Sequence, residues 1–95
     1  MKKICFVDFD MSVTGGVEQV TASLANELCS IYETFVYAIN KGGESAYELD
    51  RRVVFIEGLT GEKRLRGMIQ GTFRPFIHFV KEKKIDVVIL MGNYP

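Results

Sequence analysis

The chain of 95 residues is 47% hydrophobic and 25% charged, which is typical of one soluble globular domain and too short for a complete two-lobed enzyme. Twelve basic and twelve acidic residues cancel, so nucleic acid is not expected among the partners. No stretch reaches the ~18 apolar residues of a transmembrane helix, and the N-terminal "MKKICFVDFD" lacks the apolar core of a signal peptide.

The first half of the chain predicts a strand, a helix and two further strands. Residues 3 to 9, 34 to 40 and 52 to 59 are short apolar runs of the length and composition of buried strands. From Gly16 the apolar residues recur every three or four positions, which predicts an amphipathic helix. We expect its apolar stripe to lie on the sheet: Val17, Val20, Leu24, Leu28 and Ile31.

The second half predicts one more helix and one more strand. The helical pattern runs from Glu62 to Lys84, and Pro75 predicts a kink or break near Arg74. Its aromatic residues are expected in the core, whereas His78 is expected at the surface or an interface: Phe73, Phe76, Phe79. Residues 85 to 91 predict another buried strand. Cys5 and Cys29 are expected to be reduced, buried thiols.

The order β-α-β-β-α-β predicts an α/β fold, a Rossmann-like three-layer sandwich with a mainly parallel sheet, in a single domain over residues 1–95. The crossover rule places the first strand centrally, between the second strand and the strand at 86 to 91, with the strand at 53 to 57 beyond the second. Ligands of such sheets bind at the carboxyl ends of the strands. That end holds the loop after the first strand and the segment Met91-Gly92-Asn93.

Two aspartates in "DFDMSVTGGVEQV", residues 8 to 20, offer one kind of active site. The stretch "FVDFDMSV" resembles the haloacid-dehalogenase signature, in which the first aspartate attacks phosphorus and the second handles the leaving-group proton. Asp8 and Asp10 would take those roles, although Met11-Ser12 replaces the usual glycine-threonine. The alternative is structural: one aspartate faces solvent while the other caps or tethers the loop.

Gly15 and Gly16 in the same stretch offer another kind of site. Glycines at the start of a helix let backbone N–H groups and the positive end of the helix dipole approach a phosphate. The dinucleotide fingerprint and a Walker-type lysine are both absent. The residues alone leave two interpretations open, a diphosphate site or a tight turn with Glu18 as the partner of the helix dipole.

The segment "TGGVEQVTASLANEL" resembles the first loop and helix of family-4-type retaining glycosyltransferases. "YELDRRVVFIEGL" resembles the loop and third strand of those enzymes, and "KEKKIDVVILMG" resembles their "K-P-D-V-V" strand. The resemblance covers nearly the whole chain and implies part of the N-terminal, acceptor-side lobe of a GT-B fold. A non-enzymatic Rossmann-like binding module is a further alternative.

The resemblance implies a sugar transfer, with retention, from a nucleoside diphosphate sugar to a sugar or lipid-linked acceptor. It implies that Gly15, Gly16 and Val17 contact the donor diphosphate and that Asn93 lies at the acceptor edge. No cofactor or metal is expected. The catalytic residues would lie in a C-terminal lobe that these residues lack, so the chain alone is expected to be inactive. We also expect a cytoplasmic protein, compatible with the inner face of a membrane, and a homo-oligomer of this chain.

Overall fold

A computed structural model describes the backbone of residues 1–40, 42–60 and 65–92, and their side chains except those of 59, 60 and 65–73. The six elements follow the predicted order β-α-β-β-α-β. Their bounds are β1 Lys3–Asp8, α1 Gly16–Leu28, β2 Glu33–Asn40, β3 Val54–Thr60, α2 Leu65–Lys83 and β4 Val87–Leu90.

The four strands form one sheet in the order β3-β2-β1-β4, and every neighbouring pair is parallel. In register, Ile4 of β1 lies between Thr34 of β2 and Val87 of β4. The predicted central position of β1, with β2 and β4 beside it and β3 beyond β2, is confirmed. The fold is therefore a Rossmann-like α/β arrangement, and the carboxyl ends of all four strands meet at one edge of the sheet.

Helix α1 covers one face of the sheet, but through a different side than its apolar pattern predicts. The buried residues of α1 are the small Thr21, Ala22 and Ala25, which pack over Phe6 and Val36 of the sheet. Of the predicted stripe, Leu28 is partly buried and packs against the core, whereas Val17 is 40%, Val20 51%, Leu24 41% and Ile31 59% accessible. Successive helical residues turn by about 100°, so the stripe lies roughly a quarter turn from the buried side. The small residues of α1 form the contact with the sheet because they let the helix backbone approach the sheet closely.

Helix α2 covers the opposite face, where aromatic rings form the contact. Phe79 lies 5.7 Å from Phe35 between ring centroids, and Phe76 lies 5.0 Å from Tyr37, both edge-to-face. The core position predicted for Phe79 and Phe76 is thus confirmed, while the side chain of Phe73 and the predicted helix start at Glu62 lie outside the described residues. Of the kink or break predicted near Arg74, the break is wrong, because α2 is one helix through Pro75. Aromatic packing on the sheet offsets the ~3 kcal/mol that a proline costs inside a helix.

Strand β4 is not the buried strand that its apolar sequence predicts. Val87, Val88 and Leu90 are 44%, 39% and 63% exposed. In the part of the chain that the structure describes, β4 ends the sheet, and only Ile89 and the following Met91 pack against the core under α1. An apolar sequence shows that a strand is suited to burial under other elements. In the described residues, helices α1 and α2 leave most of the β4 side chains exposed to solvent.

The predictions for the two cysteines and for His78 are confirmed. Cys5 and Cys29 are free and buried, and burial raises the pKa of the Cys5 thiol to about 12. His78 lies at the surface, where its Nε2 is 2.9 Å from a carboxylate oxygen of Glu82. Among the described residues, no helix combines the length and the apolar character needed to cross a membrane.

Candidate functional site at the carboxyl end of the central strand

The candidate site is the loop that joins β1 to α1. Strand β1 ends at Asp8, and α1 begins at Gly16 after Gly15, whose backbone is extended with φ −102° and ψ 168°. No side chain caps this helix. The N–H groups of the first turn have no acceptor within the helix, so the predicted pair of glycines stands at an electropositive helix end beside the centre of the sheet.

Asp8 forms the buried floor of this loop, with 1% of the residue exposed. Its Oδ1 accepts a hydrogen bond of 3.2 Å from the Asp10 N–H, and its Oδ2 lies 3.2 Å from the Thr21 hydroxyl. That hydroxyl has one proton and a shorter contact, 2.8 Å, to the carbonyl of Val17. The Asp8 carboxyl is therefore poorly supplied with donors for a buried charge.

Glu18 of α1 faces Asp8 across the loop. Burial raises the pKa of Asp8 to about 6, and the Glu18 carboxyl adds to this by hydrogen bonding and by charge repulsion. The bonds from Asp10 and Thr21 lower the pKa by less. Two facing carboxyl groups disfavour a second negative charge, so the Asp8 carboxyl is partly protonated near pH 6.

Asp10 forms the rim of the loop and has the opposite environment. Its carboxylate accepts bonds from the Ser12 N–H at 2.9 Å, the Ser12 hydroxyl at 2.5 Å and Asn40 Nδ2 at 3.1 Å. Partial burial raises the pKa of Asp10, but the bonds from Ser12 and Asn40 outweigh it and hold the pKa below its ordinary value. Asp10 is thus a stable carboxylate that tethers the loop to the end of β2.

The loop after β2 closes against this rim. The Asn40 N–H donates to the carbonyl of Phe9 at 2.7 Å, and the Ala46 N–H donates to the carbonyl of Met11 at 2.8 Å. Met11 is fully buried. A Cβ atom on Gly42 would overlap the carboxylate of Asp10, so a side chain at this point would displace that carboxylate. The two loops are one packed unit.

The two glycines differ in what surrounds them. A Cβ atom on Gly16 would meet no described atom within 4 Å outside its own helix and chain neighbours, whereas a Cβ on Gly15 would overlap Glu18 Oε1. Neither glycine has a positive φ. Backbone conformation therefore does not require glycine at either position, and at Gly16 its effect is to leave open space beside the helix end.

The start of α1 can bind an anion only if the Glu18 side chain moves away from it. The space beside Gly16 and the N–H groups of the first turn suit a phosphate oxygen. Glu18 already lies over Gly15, however, and its carboxylate serves as the negative partner of the helix dipole. A phosphate must therefore displace the Glu18 side chain. In the described residues, no three His, Cys, Asp or Glu side chains are grouped so that they could hold a metal ion.

The structure brings together most of the residues that the sequence singled out. Gly15, Gly16 and Val17 lie at the helix start, and the position of a Cβ on Gly92, just after β4, is 3.5 Å from Val17 Cγ1. Asn93 lies outside the described residues. Of the two roles predicted for the aspartates, tethering is right for Asp10, but neither aspartate is the solvent-facing one, since Asp8 is buried.

Sequence reasoning missed two partners in this site, Thr21 and Asn40. Asn40 had a usable signal, because it is the last residue of a strand parallel to β1 and parallel strands end at the same edge of the sheet. Thr21 had a weaker one: it lies one helical turn after Val17, on the side of α1 that meets the sheet.

A shallow cavity of about 490 Å³ lies at the other end of the sheet, lined by residues 48 to 52 before β3. Asn26 of α1 holds this segment by bonds to the carbonyl of Glu48 and the N–H of Asp50. Asp50 in turn forms an ion pair of 3.0 Å with Arg52. This cavity lies at the opposite end of the sheet from the loop after β1 and is not part of the candidate site.

Comparison with known proteins adds no name to this site. No protein-family model matches the sequence, and no curated protein matches it either.

Proposed function

We propose that this chain is part of the N-terminal lobe of a GT-B retaining glycosyltransferase. In this proposal the loop between β1 and α1 contacts the diphosphate of a nucleoside diphosphate sugar. The observation that carries the proposal is the open space beside Gly16, at an uncapped helix start and at the carboxyl end of the central strand. The resemblance of "TGGVEQVTASLANEL" to the glycine loop of those enzymes supplies the chemistry.

The proposed contribution to catalysis is electrostatic. Backbone N–H groups of Gly16 and Val17 would stabilise the negative charge that develops on the departing diphosphate. Such groups are fixed by the helix and need no reorganisation as charge develops. The residues that complete the reaction, and the acceptor site, belong to parts of the enzyme outside these 95 residues, so the chain alone is proposed to bind and not to transfer.

Glu18 has a defined part in this proposal. Its carboxylate lies against Gly15 at the start of α1 and faces Asp8. Entry of a diphosphate would turn Glu18 outward to solvent, since two anions cannot share the same N–H groups. The affinity of the loop for diphosphate is therefore reduced by the cost of moving Glu18.

The phosphatase alternative has less support. A nucleophilic aspartate has to be ionised and within reach of phosphorus. Asp8 is buried, and burial together with Glu18 raises its pKa. Asp10 is held by Ser12 and Asn40 in a tether. Neither carboxylate has the exposure and freedom that a covalent phosphoryl transfer needs.

Titration of the ¹⁵N-labelled chain with inorganic pyrophosphate and with a nucleoside diphosphate tests the proposal. We expect amide shifts centred on Gly15, Gly16 and Val17. Gly16→Val places a branched side chain in the open space and should weaken binding about tenfold or more, because the anion can no longer approach the helix end. The fold should survive, because no described atom outside the helix backbone and the chain neighbours lies within 4 Å of that Cβ position.

Gln19→Val is the matched control, since it adds the same side chain to an exposed position in the first turns of the same helix. It should bind like the unmodified chain. Equal binding by Gly16→Val and the unmodified chain, or shifts centred away from the loop, would contradict the proposal. Phosphate-ester hydrolysis that disappears in Asp8→Asn would restore the phosphatase instead.

A further inference from the structure

The carboxyl groups of Asp8 and Glu18 are in contact at the start of α1. The Glu18 carboxyl lies against Gly15 and forms a hydrogen bond with the Asp8 carboxyl. Two ionised carboxylates have no donor between them, so this hydrogen bond requires a proton on one of the two groups. The burial of Asp8 and the negative charge beside it favour the proton on Asp8. The contact is therefore that of a protonated Asp8 donating to the Glu18 carboxylate.

The Glu18 side chain has little else to hold it in this position. In the part of the chain that the structure describes, no N–H or hydroxyl group donates to its carboxylate. The side chain is partly exposed, so water competes with the attraction of the helix dipole. The proton on Asp8 is thus the main support of the contact between Glu18 and the helix start.

The other neighbours of Asp8 supply no charge that could replace this proton. The loop supplies the N–H of Asp10, whose own carboxylate is held by other bonds. The strands beside Asp8 present uncharged residues, Ala38 of β2 and Met91 after β4. Helix α2 packs on the opposite face of the sheet. Glu18 is therefore the titratable group whose charge acts on Asp8.

We infer that Asp8 and Glu18 form a pH-sensitive latch on the start of α1. When Asp8 is protonated, its carboxyl holds Glu18 over Gly15, and the latch is closed. When Asp8 is ionised, the hydrogen bond is lost and the two carboxylates repel each other. The Glu18 side chain then turns outward into solvent, and water reaches the new charge on Asp8.

The latch opens as pH rises. Its midpoint is that of the Asp8 carboxyl, whose pKa is raised to about 6, first by burial and then by Glu18. Below this pH the Glu18 carboxylate covers the start of α1, and above it the N–H groups of the first turn are open to solvent. The inference concerns the loop by itself, needs no bound anion and does not depend on the proposed diphosphate site.

NMR of the ¹⁵N,¹³C-labelled chain tests the latch when the pH is raised through the Asp8 midpoint. Glu18 Cδ lies 3.6 Å from the position of a Cβ on Gly15, so the closed latch gives a nuclear Overhauser effect between Gly15 Hα and Glu18 Hγ. This signal should weaken about threefold or more once Asp8 is ionised. The decrease should have the same midpoint as the titration of the Asp8 Cγ shift.

Two variants of nearly unchanged shape should hold the latch closed on both sides of the midpoint. The amide of Asp8→Asn donates to the Glu18 carboxylate, and the amide of Glu18→Gln donates to the Asp8 carboxylate, so neither contact needs a proton. Asp8 should also titrate at lower pH in Glu18→Gln. Glu27→Gln is the matched control, because it removes an exposed carboxylate from the last turn of the same helix. It should titrate like the unmodified chain, and circular dichroism verifies that all three variants fold.

Three results would overturn the inference. The first is an Overhauser effect that persists in the unmodified chain after Asp8 has ionised, because the helix end would then hold Glu18 without Asp8. The second is loss of that signal in Asp8→Asn at the pH at which the unmodified chain loses it. The third is an unchanged Asp8 titration in Glu18→Gln. Since no anion is added, failure of the pyrophosphate titration described above would leave these results unaffected.

Discussion

Asp8 and Asp10 lie two residues apart in one loop, yet their carboxyl groups have opposite ionisation behaviour. Asp8 is buried, faces the carboxyl of Glu18, and has its pKa raised to about 6. Asp10 accepts three hydrogen bonds from Ser12 and Asn40, and these hold its pKa below the ordinary value. The difference comes from the neighbours and not from the residue type, since burial acts on both.

The comparison shows which carboxylate stabilises the fold at a given pH. A raised pKa means that the folded state holds its proton more tightly than the unfolded chain does, so this contribution to stability is present at low pH and lost as pH rises. A lowered pKa has the opposite sign. The loop therefore contains one aspartate that favours the folded state in acid and one that favours it above the ordinary aspartate pKa.

The largest expected effect is that of Asp8→Asn. The amide removes a buried charge, so the variant should be more stable than the unmodified chain at pH 8, by about 1–2 kcal/mol after allowance for solvent screening. The difference should shrink as pH falls from about 6 towards 4, where the Asp8 carboxyl of the unmodified protein is already protonated. Urea unfolding at several pH values measures it. A pH-independent difference would show that Asp8 does not titrate in this window.

A smaller effect of opposite sign is expected for Asp10→Ala, which removes the acceptor of three hydrogen bonds at the rim. Hydrogen bonds to a charged group contribute more than neutral ones, but the rim is partly open to water, so a loss of about 1 kcal/mol at pH 7 is expected. The loss should fade as pH drops below the ordinary aspartate pKa. Thermal unfolding at pH 7 and pH 3 measures it, and an equal loss at both would refute the charge assigned to Asp10.

The smallest effect should be that of Gly42→Ala, which acts on Asp10 from outside. Its Cβ would overlap the Asp10 carboxylate and lie against the Ser12 hydroxyl, so the rim bonds must loosen. A cost of somewhat under about 1 kcal/mol is expected, with little added cost when Asp10 is already alanine. A double-mutant cycle by urea unfolding measures this coupling. Full additivity would mean that Gly42 matters for a reason other than Asp10.

The sheet could be predicted from sequence because each strand is a short apolar run and connections between parallel strands have one hand. The side of α1 that packs against the sheet could not be predicted from sequence. Periodicity locates an apolar stripe, but Ala22 and Ala25 meet the sheet because they are small, and the valine stripe beside them is free for another contact. The continuity of α2 through Pro75 likewise depends on the contact of Phe76 with Tyr37, which no local rule contains.

Some features of the candidate site could also be predicted from sequence, and others could not. The placement of Gly15 and Gly16 at a helix start follows from the change of period after the first strand. The contact between Asp8 and Glu18 does not follow from the sequence pattern. It depends on how α1 is rotated about its axis over the sheet, and the small residues on the buried side of α1 set that rotation. The sequence named Glu18 only in the tight-turn alternative, and the structure has its carboxylate against Gly15 in the space that the phosphate interpretation left open.

The contact between β1 and β4 bears on how the chain folds. The Lys3 N–H donates to Asp86 Oδ2 at 2.7 Å, and the Asp86 N–H donates to the carbonyl of Lys3, so two residues 83 positions apart are joined. Closing so long a segment has a larger entropy cost than pairing β1 with β2, which are separated by one helix. Strand β1 thus keeps one edge unpaired until residues 86 to 91 have been synthesised. In that interval the unpaired edge of β1 can pair with a strand of another chain and so favours aggregation.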